Sequence, residues 1–206
     1  MKKYALIAVA VAALGLAAVG GAYVNAGIAA VPEIGAQTPD FNLKDYDGKE
    51  HSLSANKGKI VLISFTSQQC PVSNGLEPAF AKLADDYSAK GVVFFSIDSH
   101  AQTTPAQIAK YAATENKTGK KLPYPILKDL DNKYADTMGA KRTPEIYIVD
   151  KDGKLAYHGA IDNQKPASDS GYKNYVGAAL DELLAGKPVS EPKHSAYGCG
   201  IKRKVA

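Results

Sequence analysis

The chain has two cysteines, and their settings differ. Cys70 comes just after Lys59 to Thr66, a nearly continuous apolar, β-branched run that fits a strand buried on both faces, and it precedes Pro71. A helix starting within a few residues places the sulfur at a helix N-terminus, where unpaired amides and the positive dipole end favour the thiolate. A thiolate there can attack a disulfide or a peroxide, and another thiol must then release the mixed disulfide or sulfenic acid. Cys199 is the only candidate within the chain. The stretch from Gly186 to Cys199 can extend up to roughly 40 Å at about 3.3 Å per residue, against a radius of gyration of about 15 Å for a domain of this size. Two readings follow. Either Cys70 attacks and Cys199 resolves, or the pair forms a permanent bridge pinning the tail, worth about 4–5 kcal/mol in the loop-entropy account.

Other polar residues carry weaker signals. His51, His100, His158 and His194 are scattered without metal-ligand spacing, so surface or capping roles are expected, with no metal and no cofactor. Asp98 and Ser99 end a strand near the site and read as turn formers. Glu77 lies in the helix after Cys70, where a solvated position is expected.

The elements that must hold Cys70 read as α/β. From Ser73 to Lys90, Leu76, Phe80, Leu83, Ala84 and Tyr87 recur at helical spacing, with Gly91 as cap and a kink expected at Pro78. Val92 to Ile97 is a second buried strand, so strand, helix and strand form a βαβ unit with parallel strands and a right-handed crossover. Thr104, Pro105 and Gln107 give a capping-box start to a helix ending near Asn116. A short strand around Pro125 to Leu127 and a helix over about Asn132 to Met138 come next. Glu145 to Val149 and Lys154 to His158 flank the turn Asp150-Lys151-Asp152-Gly153, an antiparallel hairpin. A last helix, Tyr172 to Ala185, stops at Gly186, and residues 187–206 read as an irregular tail carrying Cys199.

With 206 residues, 45% hydrophobic and 22% charged, the chain suits one globular domain, here 37–186. Lys2 and Lys3 precede an apolar run from Ala5 to Val19 and then small residues, the layout of a secretory signal over 1–26, with 27–36 as a linker. The expected location is therefore exported, periplasmic or secreted, with a membrane involved only if the N-terminal segment is retained as an anchor. Export also places both cysteines where disulfides persist. The net charge of +4 is mixed along the chain, and Lys202, Arg203 and Lys204 form its only basic cluster, without interleaved aromatics, which excludes nucleic-acid binding.

Strand, Cys70-Pro71 at a helix start, and a distant Thr143-Pro144 before an antiparallel hairpin resemble the thioredoxin layout. The resemblance implies a thioredoxin-like fold: a central mixed sheet flanked by helices, the βαβ unit followed by antiparallel ββα. It also implies that Pro144 is cis and, with Thr143 and Pro71, shapes the substrate groove beside Cys70. Thr38-Pro39-Asp40-Phe41, the segment from Phe65 to Pro71, and the closing Gly198-Cys199-Gly200-Ile201-Lys202 are similar to the redoxin branch, the alkyl hydroperoxide reductase and thiol-specific antioxidant relatives. The chain departs from thioredoxins in having Ser73 at the second position of Cys-x-x-Cys, and Ser64 where they bury an acid. From peroxiredoxins it departs in having Ile63 at the proline position, while Ser67 matches their hydroxyl. The resemblance implies an exported thiol-disulfide oxidoreductase, with a thiol/disulfide protein or a peroxide as substrate and an external thiol as reductant. Ser67 and Ser73 would support Cys70. Arg142 beside the proline turn would serve a peroxidase alternative, and a non-catalytic module with a Cys70–Cys199 bridge is the other.

Overall fold

The computed structural model describes residues 28–204, so the expected signal segment lies outside the described residues. Five strands in order of sequence build the half that contains Cys70: β1 (Asn42–Asp45), β2 (Glu50–Ser52), β3 (Val61–Thr66), β4 (Val93–Asp98) and β5 (Ile126–Lys128). The helices among them are α1 (Pro71–Ser88) and α2 (Pro105–Lys110). After β5 come α3 (Lys133–Thr137), β6 (Arg142–Thr143), β7 (Glu145–Val149), β8 (Leu155–Gly159), α4 (Tyr175–Leu184) and β9 (Cys199–Gly200).

The main sheet has seven strands in the order β2-β1-β5-β4-β3-β7-β8. β3 pairs parallel with β4 and antiparallel with β7, so it is central, and all its residues are buried. Its side chains alternate between two cores, as pleating requires. Leu62 packs with Phe80, Ala84, Phe94, Val176 and Leu180 under α1 and α4. Val61, Ile63 and Phe65 pack with Phe95, Ile97, Tyr134 and Ala135 on the α3 side. The chain thus has the thioredoxin-like α/β fold, with β7 and β8 as the expected hairpin.

Several boundaries differ from expectation for local reasons. α1 begins at Pro71, because Cys70 is itself the N-cap, and it runs on through Pro78. Thr104 and Gln107 form the capping box, but the α-helix stops at Lys110 and widens into a π-type turn over Tyr111–Glu115. Asn116 closes that turn by donating to the Tyr111, Ala112 and Lys120 carbonyls. α4 starts only at Tyr175, since Asn174 Oδ1 accepts the Gly177 N–H at 2.8 Å and fixes the cap there. Within 27–36, Ala29 N–H donates to Asp136 O and Gly35 N–H to Leu155 O, both at 2.8 Å. The tail is not wholly irregular, because β9 pairs antiparallel with β6. No helix among the described residues is long and apolar enough to cross a membrane.

Candidate active site

Cys70 stands where β3 hands over to α1 and is 2% exposed. Its N–H donates to Ser67 O at 3.0 Å, and Asn74 N–H returns to its carbonyl at 3.0 Å, which closes the first turn. The Ser73 N–H points at Sγ at 3.4 Å, the side-chain cap of α1. On the opposite side the thiol donates to Thr143 O at 3.0 Å, across 73 residues of sequence. Pro144 follows with a cis peptide bond.

The tail delivers the second cysteine. In the β6–β9 pair, Thr143 faces Cys199 and Arg142 faces Gly200, so Cys199 is registered against the residue whose carbonyl contacts Cys70. Both thiols are free, and each perturbs the ionisation of the other. Burial opposes ionisation of Cys70, but hydrogen bonds from the Cys199 thiol and the Ser73 N–H outweigh it and hold Cys70 below the ordinary cysteine range. The same shared hydrogen bond, reinforced by burial, pushes Cys199 up. Of the two thiols, Cys70 is therefore the more readily ionised.

The remaining expected residues divide between two places. Ser67, Gln69, Cys70, His100, Thr143, Cys199 and Lys202 bound a cavity of 190 Å³. Ser67 Oγ is taken up by Gln69 Oε1 at 2.9 Å. Ser73 serves the sulfur through its amide, while its hydroxyl pairs with Thr66 Oγ1 at 2.7 Å. Arg142 is exposed: its guanidinium donates to Gly198 O at 3.3 Å, and it lines a different cavity with Glu145, His158 and His194. A larger cavity, 640 Å³ beside β1 and α3, contains neither cysteine.

Glu77 is a correction. It is buried rather than solvated, with Oε2 accepting from Tyr111 Oη at 2.6 Å and Oε1 from Tyr124 Oη. Burial raises its pKa despite the two hydroxyl donors. The sequence did carry a signal, because position 77 falls on the helix stripe of Phe80, Ala81 and Ala84. Asp98 is more than a turn former. It accepts the His100 N–H at 3.0 Å and also holds Lys128 Nζ at 3.1 Å in a buried ion pair. His158 donates to or accepts from the buried Glu145 at 2.7 Å, and Glu145 also receives the Lys141 and Arg142 amides. Among the described residues, no group of three or more His, Cys, Asp or Glu could hold a metal ion.

Residues 34–158 match the AhpC/TSA family. The chain belongs to that family. The match takes in Cys70 and Pro144 and ends before the tail. Within the wider superfamily, the chain is 31% identical over 123 residues to the thiol-disulfide oxidoreductase ResA of Bacillus thuringiensis, covering 60% of this chain and 67% of that protein. It is 34% identical over 121 residues to the thioredoxin-like protein YneN of Bacillus subtilis, covering 59% and 68%. The crystal structure of an uncharacterized conserved protein from Geobacillus kaustophilus superposes with a TM-score of 0.75 at 33% identity, covering 84% of this chain and 94% of that one.

Proposed function

We propose that this thiol-dependent oxidoreductase of the redoxin type is an exported enzyme that exchanges disulfides through Cys70 and completes its cycle with Cys199. The observation that carries the reading is the β6–β9 register, which brings the tail thiol to the nucleophile over a long sequence separation. In the first step the Cys70 thiolate attacks a substrate disulfide. That S–S bond breaks, a Cys70 mixed disulfide forms, and the leaving thiolate takes a proton from solvent. Cys199 then gives up its proton and attacks the Cys70 sulfur, forming the Cys70–Cys199 bridge and releasing the second substrate thiol. An external dithiol or thiol reductant reopens the bridge. Thr143, Pro144 and Pro71 frame the approach to the sulfur, and Ser67 and Ser73 shape the loop that holds it. Export rests on the basic, apolar, small-residue layout of 1–26.

The experiment that tests this is a trap. Cys199→Ala incubated with a disulfide substrate should accumulate a mixed disulfide on Cys70, read by mass mapping after alkylation, whereas the native chain should pass to an internal bridge. If the native chain and Cys199→Ala release both substrate thiols at the same rate, Cys199 is not the resolver.

A further inference from the structure

What covers Cys70 is the chain's own tail. β9 lies on β6, and Gly198 is pressed so closely against the proline turn that an added Cβ would fall 2.2 Å from Thr143 O and 3.3 Å from Pro144 Cδ. Around it, Ile201 N–H donates to Lys141 O at 3.1 Å, Ala101 N–H to Lys202 O at 2.9 Å, and Ile201 is buried in the α3-side core. An extended polypeptide gains its main-chain hydrogen bonds by pairing with a free strand edge. The edge within reach of Cys70 Sγ is the one that carries Thr143 O, and β9 already occupies it. The opening that remains is the 190 Å³ cavity bounded by Ser67, Gln69, His100 and Lys202. It is smaller than the roughly 300–1,000 Å³ of pockets that enclose drug-sized ligands.

We infer that the segment 198–201 sets substrate size at Cys70: with the tail docked the thiol serves low-molecular-weight disulfides, and a polypeptide disulfide gains access only when β9 lifts from β6. This rests on Cys70 being the attacking thiolate. It also couples release to resolution. A client strand on β6 and a docked Cys199 exclude one another, so the return of β9 displaces the client as Cys199 attacks the mixed disulfide.

The test uses two probes with one leaving group: the 2-thiopyridyl mixed disulfide of cysteamine, and that of an extended twelve-residue peptide with a central cysteine. Attack by Cys70 breaks the probe's S–S bond, forms a mixed disulfide with cysteamine or the peptide, and expels pyridine-2-thione, which is read by absorbance. The full chain should prefer the small probe by at least about tenfold, because the peptide reacts only with the tail-up fraction of molecules. In Gly198→Ala, or in Ile201→Ala should the first fail to fold, freed amides over 199–203 in hydrogen exchange should accompany collapse of that preference toward unity. A preference near unity in the full chain overturns the inference, as does an unchanged preference in a variant whose tail amides are free. Cys70→Ser separates the two claims: if it reacts as fast as the native chain, the nucleophile assignment itself fails.

Discussion

The two cysteines meet at one point but are held there from different distances. On the β3–α1 side, the partners of Cys70 are its neighbours in sequence: Ser67 O, Ser73 N–H and Asn74 N–H. On the tail side nearly every anchor is remote. Arg142 reaches Gly198 across 56 residues, Arg203 reaches Ala140 across 63, and Asn132 accepts the Lys204 N–H across 72. A site built from neighbours forms whenever β3 and α1 form. One built from remote anchors forms only when the whole sheet is in place, and each of its contacts is individually weak. Cys70 is thus fixed, and Cys199 is held by contacts that can open.

Cys70→Ser should break the comparison outright and lower disulfide exchange by more than about a thousandfold, since a hydroxyl lacks the thiolate's nucleophilicity. Steady-state turnover of a disulfide substrate checks it. Next in size is the buried ion pair at the end of β4. Lys128→Met strands the Asp98 carboxylate, 2% exposed at the end of β4, and should cost about 3–5 kcal/mol in urea unfolding. Among the described residues the tail has no buried ion pair of that kind. Arg203 pairs with Asp136 at a partly buried surface site, and Arg203→Ala should cost about 1 kcal/mol.

How much of this was legible follows the same division. β3, β4, the start of α1, the Thr104 capping box and the β7–β8 hairpin are written in runs of a few residues, through apolar continuity, caps and turn formers. Cys70 stood out for that reason, and Pro144 through the resemblance to the thioredoxin layout. The β1–β2 hairpin was missed because both strands are short and only half-buried, which leaves little alternation to read. β9 is two residues long, and nothing local marks it, since its partner is β6. Glu77 could be placed on a buried stripe, but Tyr111 and Tyr124, which satisfy its carboxyl, lie 34 and 47 residues away. Arg142 stood close to the proline turn in sequence, yet its side chain turns to the Gly198 carbonyl.

Two smaller effects sharpen the picture. The hydrogen bond from Cys199 helps hold Cys70 below the ordinary cysteine range, so Cys199→Ala should move the midpoint of Cys70 alkylation to higher pH. Alkylation rises with pH through that midpoint, and the variant should therefore react more slowly on its acid side; a midpoint that stays put would mean the thiols do not share a proton. Arg142→Gln loses one exposed hydrogen bond and should change disulfide exchange by less than about threefold, a difference below 1 kcal/mol. A peroxidase that relied on this arginine would instead lose most of its rate, which stopped-flow oxidation by peroxide would show.

The central claim is that Cys70 and Cys199 form a redox pair and not a permanent staple, and a glutathione redox titration of the full chain tests it most directly. Thiol alkylation and peptide mass mapping follow the bridge at each potential. The account predicts a Cys70–Cys199 bridge that forms and opens reversibly at a potential above about −300 mV, the range of labile and catalytic disulfides. A bridge that resists reduction across the titration would make the tail a staple, and the absence of any bridge would leave Cys70 without an internal partner; either result contradicts the account.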